Sequence, residues 1–126
     1  MKHKTILVFD DDVNILDIFK IVLEGSGYRV ALSQTSDNII EKTKEVNPDV
    51  IIMDNWIPGM GGLKATLLLK EHPDCKQIPV IYCSANREVR LLAEQANAQA
   101  FLAKPFDLED LENMVAQLVQ SNGPSI

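Results

Sequence analysis

The stretch Ile6-Leu7-Val8-Phe9-Asp10-Asp11-Asp12-Val13 decides the fold. Four consecutive apolar residues are too few for an ordinary helix and read as a strand buried on both faces. Three carboxylates follow. From Val13 to about Glu24 the apolar residues then recur at helical spacing, with Ile15, Phe19 and Val22 on one face beside Leu16 and Leu23. Gly25 and Gly27 end that helix.

The same strand, polar turn and helix recur outward along the chain. Further strand-like runs are Tyr28 to Leu32, Val50-Ile51-Ile52-Met53, Val80-Ile81-Tyr82-Cys83 and Ala100-Phe101-Leu102-Ala103. Helical spacing fills the gaps: about Asp37 to Val46, stopped by Asn47-Pro48; Leu63 to Glu71, before His72-Pro73; Arg87 to Gln95; and Leu108 to Val119, capped by Asp107. Strict alternation of five strands and five helices predicts an α/β sandwich with a parallel sheet and right-handed crossovers. Tyr28 to Leu32 alternates apolar with less apolar residues, as an edge strand does. The doubly wound, flavodoxin-like order 2-1-3-4-5 accommodates this and puts a binding crevice at the carboxyl ends of strands one and three.

With 126 residues, 46% apolar and 24% charged, the chain suits one domain. Such a domain buries roughly two thirds of its unfolded surface, so Cys75 and Cys83 need not pair. A formal charge of −6 disfavours direct nucleic-acid binding. Asp107, Glu109, Asp110 and Glu112 follow Lys104 with no later Lys or Arg, so a charged partner at that end is expected to be basic. The absence of a membrane-length apolar run or a signal-peptide pattern points to the cytoplasm, with no membrane contact. Residues 1–120 read as the domain, and 121–126 as a polar tail or the start of a linker.

The residues at the strand ends carry chemistry: Asp10, Asp11 and Asp12 after the first run, Asp54 after the third, Ser84 after the fourth, Lys104 after the fifth. Asp12 alone could simply cap the first helix. Together on one rim they form a site. Asp10, Asp11 and Asp54 would repel one another and raise their pKa values unless neutralised. Hard oxygen donors without His or Cys favour Mg²⁺, which leaves positions open for phosphate oxygens. With Lys104 the cluster sums to −2, and one Mg²⁺ brings it near zero. Phosphoryl transfer to a carboxylate needs an in-line nucleophile and fixed positive charge, and Asp54 is the natural nucleophile.

These residues resemble the receiver domains of bacterial two-component response regulators, from Thr5 to about Gln120. The family pattern is an acid pair (Asp10-Asp11), a phosphoacceptor Asp (Asp54), Pro58 and Gly62 four and eight residues later, Ser84-Ala85, an aromatic (Phe101) and Lys104-Pro105. The resemblance implies that Asp54 takes a phosphoryl group from a sensor histidine kinase or histidine phosphotransfer protein. It implies Mg²⁺ bound directly by Asp11, Asp54 and the Trp56 backbone carbonyl, and by Asp10 through water. Ser84 and Lys104 would contact phosphoryl oxygens, and the Lys104-Pro105 bond would be cis. Ser84 would move inward on phosphorylation and Phe101 would rotate, altering the surface of helix four, strand five and helix five for an unknown downstream target or output domain. Phe101 lacks the hydroxyl of the commoner Tyr, which leaves packing to do the switching. Trp56 and Asn86 flank the phosphoryl position, and a bulky Trp56 is expected to slow attack by water. Asn97-Ala98-Gln99 lacks an acidic pair common in receivers that dimerise on DNA-binding output domains.

Two other readings compete. Asp10-Asp11-Asp12 also fits the Asp-x-Asp motif of haloacid dehalogenase-like phosphatases, with Asp10 and Asp12 catalytic, although Asp54 would then lack a role. A receiver-like module that is never phosphorylated is the other. The remaining signals are bland: Gly59, Gly61 and Gly62 serve turn geometry, His3 and His72 lack metal spacing, and Leu67-Leu68-Leu69 reads as core. Cys83 reads as a small buried residue, and Cys75, in a polar loop, as at most a reactive thiol.

Overall fold

A computed structural model describes residues 3–121. Its elements run β1 (Thr5–Phe9), α1 (Val13–Gly25), β2 (Arg29–Ser33), α2 (Ile39–Val46), β3 (Val50–Asp54), α3 (Gly62–Glu71), β4 (Val80–Ser84), α4 (Val89–Gln95), β5 (Ala100–Ala103) and α5 (Leu108–Ser121). The five strands are all parallel in the order β2-β1-β3-β4-β5, as the alternation predicts.

Strand periodicity divides the core into two layers. Ile6 and Val8 of β1, Val50 and Ile52 of β3, and Ile81 and Cys83 of β4 meet Leu16, Phe19 and Leu23 of α1 and Leu111 and Val115 of α5. The alternate residues Leu7, Phe9, Ile51 and Met53 meet Ile39 of α2 and Ala65 and Leu69 of α3. Tyr82 packs against Val89 and Ala93 of α4. β1, β3 and β4 are therefore continuously apolar because both faces are covered, whereas β2 is only half-buried at its edge.

Helix boundaries follow local chemistry. Asp12 caps α1, its Oδ1 accepting from the amides of Asn14 at 2.9 Å and Ile15 at 3.4 Å. α2 starts at Ile39 rather than Asp37 because Asn38 is left-handed (φ 55°), and it ends at a second left-handed residue, Asn47 (φ 53°). α4 starts at Val89 rather than Arg87 because Asn86 forms a turn, its Oδ1 accepting from the Glu88 amide at 2.7 Å. At the start of α5 the Asp107 carbonyl accepts from the Leu111 amide at 3.1 Å. α5 also takes in Ser121, the first residue of the expected tail; the rest of that tail lies outside the described residues.

Two expectations are corrected. Cys75 lies in the loop between α3 and β4, as expected, but is buried there in the α2/α3 layer with Ile78, and burial raises its thiol pKa, so it is no reactive thiol. Of Leu67-Leu68-Leu69 only Leu69 is fully buried and Leu68 is exposed, because consecutive helical residues point about 100° apart.

Candidate functional site

The crossover topology brings the carboxyl ends of β1, β3, β4 and β5 to one rim, and the residues singled out there do converge. Carboxylate oxygens of Asp10, Asp11 and Asp54 lie within 4.8 Å of one another. Asp10 and Asp54 are buried and Asp11 is exposed, so the cluster opens to solvent on one side.

Both buried carboxylates are held at each oxygen. Asp54 Oδ2 accepts from the Trp56 amide at 2.9 Å and Oδ1 from Lys104 Nζ at 2.6 Å. Asp10 Oδ1 accepts from the Asp12 amide at 3.0 Å and Oδ2 from Lys104 Nζ at 2.8 Å. Lys104 thus crosses the rim from β5 to tie β3 to β1. Its backbone is anchored by its amide donating to the Ser84 carbonyl at 2.9 Å, and the Lys104-Pro105 bond is cis, as the resemblance implies.

The charges do not balance. Burial raises the Asp10 pKa above its ordinary 3.8 despite the opposing hydrogen bonds from Lys104 and the Asp12 amide. Burial works against the Lys104 ammonium, but the hydrogen bonds to Asp10 and Asp54 outweigh it and hold the pKa above the usual 10.5. The ammonium is therefore charged at every physiological pH. Three carboxylates against one ammonium leave an excess of negative charge, which suits a hard divalent cation.

The remaining expected residues lie on β4, on β5 and on the segments that follow β3 and β5. Ser84 is buried at the end of β4, its Oγ accepting from the Asn86 amide at 3.0 Å. Phe101 is 39% exposed on β5, the cross-strand neighbour of Tyr82, and the Trp56 side chain is 77% exposed. Pro58 and Pro105 are exposed. Gly62 packs so closely that a Cβ there would lie 2.3 Å from the Asp54 carbonyl oxygen, which admits no other residue without backbone movement. Gly59 and Gly61 take positive φ, in keeping with turn geometry.

Three polar residues near the site escaped the sequence reading. The Tyr82 hydroxyl donates to Asn55 Oδ1, next to the Asp54 backbone, and burial first, then the Asp54 charge, pushes its pKa up to about 12. Ser36, on the loop after β2, is buried against the loop after β3. Tyr82 lay hidden in an apolar strand run, and Ser36 in a polar loop with no periodicity to mark it.

Comparison with known proteins decides the family. The model of the response regulator receiver domain matches residues 6–116. The chain belongs to this family. It is 33% identical over 121 residues to the CAI-1 autoinducer sensor kinase/phosphatase CqsS of Vibrio cholerae, covering 93% of this chain and 18% of that protein. It is 28% identical over 123 residues to the phosphate regulon transcriptional regulatory protein PhoB of Klebsiella pneumoniae, covering 96% of this chain and 54% of PhoB. The chain thus spans about half or less of these relatives' length. Among solved structures, the receiver domain of the sensor histidine kinase PA1611 of Pseudomonas aeruginosa, which has a magnesium ion in its active-site cleft, matches with a TM-score of 0.86 and 25% identity over 94% of this chain and 99% of that one. This receiver domain is a phosphoacceptor domain of two-component signalling, and its family acts as a signalling switch. The phosphatase alternative is not favoured, because Asp12 is exposed and serves as the cap of α1. Among the described residues, no helix is long and apolar enough to cross a membrane.

Proposed function

We propose that Asp54 is the phosphoacceptor, receiving its phosphoryl group from a sensor histidine kinase or a histidine phosphotransfer protein. The observation that carries this reading is the Asp54 carboxylate, buried at the end of β3, fixed at both oxygens and within metal-bridging reach of Asp10 and Asp11. In the transfer a carboxylate oxygen of Asp54 forms the new bond to phosphorus as the donor nitrogen leaves with its electron pair. Lys104, which reaches Asp54 Oδ1, and Ser84, at the end of the neighbouring strand β4, would each hold a phosphoryl oxygen.

The donor set fits Mg²⁺: three carboxylates, no soft ligand and a net negative charge. Asp11, Asp54 and the Trp56 backbone carbonyl would hold it directly and Asp10 through water. When bound, Mg²⁺ neutralises the carboxylates and the incoming phosphoryl oxygens. Ser84 then closes on the phosphoryl group and Phe101 turns inward, so the surface of α4, β5 and α5 changes for a downstream protein or output domain. The unit is taken as residues 1–120, extended by Ser121, which closes α5. It acts in the cytoplasm, contacts neither nucleic acid nor membrane itself, and turns over no substrate beyond its own phosphorylation and dephosphorylation.

Intact mass after incubation with Mg²⁺ and acetyl phosphate tests the reading. One phosphoryl group should appear on the wild type, depend on Mg²⁺ and be absent from Asp54→Asn. An equal adduct on the variant would remove Asp54 from its role. Turnover of added phosphomonoesters would favour the phosphatase, and neither adduct nor turnover, even with a donor kinase, would favour a module that is never phosphorylated.

A further inference from the structure

The loop after β3 carries the Trp56 amide to Asp54 Oδ2, so the placement of that loop sets the geometry of the phosphoacceptor. One end is tied to the sheet: the Asn55 amide donates to the Cys83 carbonyl and the Gly62 amide to the Asn55 carbonyl, both at 3.0 Å. The other end is tied to the loop after the edge strand β2, through a single fully buried side chain.

That side chain is Ser36. Its Oγ donates to the Pro58 carbonyl at 2.9 Å and accepts from the Met60 amide at 2.8 Å, so the hydroxyl uses its donor and one acceptor position on the same loop. Its own amide also donates to the Pro58 carbonyl at 2.9 Å, and Thr35 Oγ1 adds a longer bond of 3.3 Å to that oxygen. The two loops approach so closely that a Cβ on Gly59, which has a φ of +103°, would lie 2.5 Å from Ser36 Oγ. Ile57, between the two ties, is buried and resists rotation of the loop.

We infer that Ser36 is a positioning residue for the phosphoacceptor site, clamping the loop after β3 so that Trp56 presents its backbone to Asp54 and to the bound cation. The assignment rests on the proposed role of Asp54. A serine that merely stabilised a surface loop would affect unfolding alone. A clamp on the cation-binding loop also sets the affinity for Mg²⁺, because a site held in its bound geometry loses less freedom on binding. The edge of the sheet thereby takes part in a reaction that its own residues do not touch.

The test compares wild type with Ser36→Ala, Ser36→Thr and Ser36→Val, the last two being nearly equal in volume and differing in the hydroxyl. Two readouts are taken on each: Mg²⁺ affinity from the fluorescence of Trp56, the single tryptophan, and amide hydrogen exchange of residues 55–60 in metal-free protein. Ser36→Ala and Ser36→Val should weaken Mg²⁺ binding about tenfold, in line with the loss of a partner that orients metal ligands, and should speed exchange at 55–60. Ser36→Thr should recover most of both effects. Equal affinities in Ser36→Ala and wild type, or equal losses in Ser36→Thr and Ser36→Val, would overturn the assignment. So would failure of all three variants to fold, since the hydroxyl would then serve stability. If the wild type binds no Mg²⁺, the reading of the site fails, whereas the exchange of 55–60 still reports on the clamp.

Discussion

β3 separates two flanks of the rim that are built differently. Toward β1 the ties are several: Asp10 is bound at both oxygens, Asp12 caps α1, and Ser36 joins the loop after β2 to the loop after β3, while Asp11 stays exposed. Toward β5 the ties are fewer once Lys104, which reaches back to Asp10 and Asp54, is set apart. Ser84 Oγ accepts one bond, from Asn86; α4 has seven residues and starts without a side-chain cap; and Phe101 lies partly exposed on an edge strand. On the proposed mechanism, Asp10 and Asp11, which hold still while a phosphoryl group is transferred, sit on the first flank, and Lys104 reaches across to Asp10 and Asp54 from the second. Ser84 and Phe101, the groups proposed to move afterwards, sit on the second, where local opening costs less.

The largest expected contrast between the flanks is in packing. Phe19 is fully buried on α1 and stacks on Phe106 with ring centroids 5.2 Å apart. Phe19→Ala should destabilise the domain by about 3–5 kcal/mol in urea unfolding, as large-to-small core substitutions do. Phe101→Ala, at a 39% exposed position, should cost less than about 1 kcal/mol. Comparable losses would erase the distinction between a fixed flank and a yielding one.

Charge gives the next contrast. Because burial raises the Asp10 pKa, the native state takes up that proton more readily than the unfolded chain just above the ordinary 3.8. The penalty carried by Asp10 is therefore fully present at neutral pH and relieved as pH falls through that window. Asp10→Asn should stabilise the metal-free protein at pH 7 by on the order of 1 kcal/mol, because the cluster loses one unbalanced buried charge while an oxygen remains for Lys104. The gain should shrink as pH falls toward the carboxylate range, measured by urea unfolding at several pH values. A destabilised variant at pH 7 would mean that Lys104 already compensates the cluster.

The smallest expected effect is at Tyr82. Tyr82→Phe keeps the ring against α4 and removes the bond to Asn55, so it should cost about 0.5–1.5 kcal/mol, also read in urea unfolding. A loss as large as that of Phe19→Ala would show the β4 flank to be held by polar ties after all.

How much of this was legible in the sequence follows from periodicity. The strand runs and helix stripes gave the order of elements, and parallel topology then forced Asp10, Asp11, Asp54, Ser84 and Lys104 onto one rim. Cys75 was misread because a short loop's polar composition does not say which residue folds back into the core. Leu68 was misread because a run of leucines looks uniform along the chain but not around a helix. Ser36 and Tyr82 act on partners 22 to 27 residues away with no repeating pattern to reveal them, so only their folded positions show what they do. Lys104 was placed at the site, but its bridge from Asp54 to Asp10 depends on side-chain reach that sequence order does not encode.

The difference between the flanks is tested most directly by amide hydrogen exchange with and without the phosphoryl group on Asp54. Phosphorylation should change exchange in residues 84–106 and leave residues 5–36 as they were. Equal changes on both sides, or no change in 84–106 with the adduct present, would contradict the division into a flank that holds and a flank that moves.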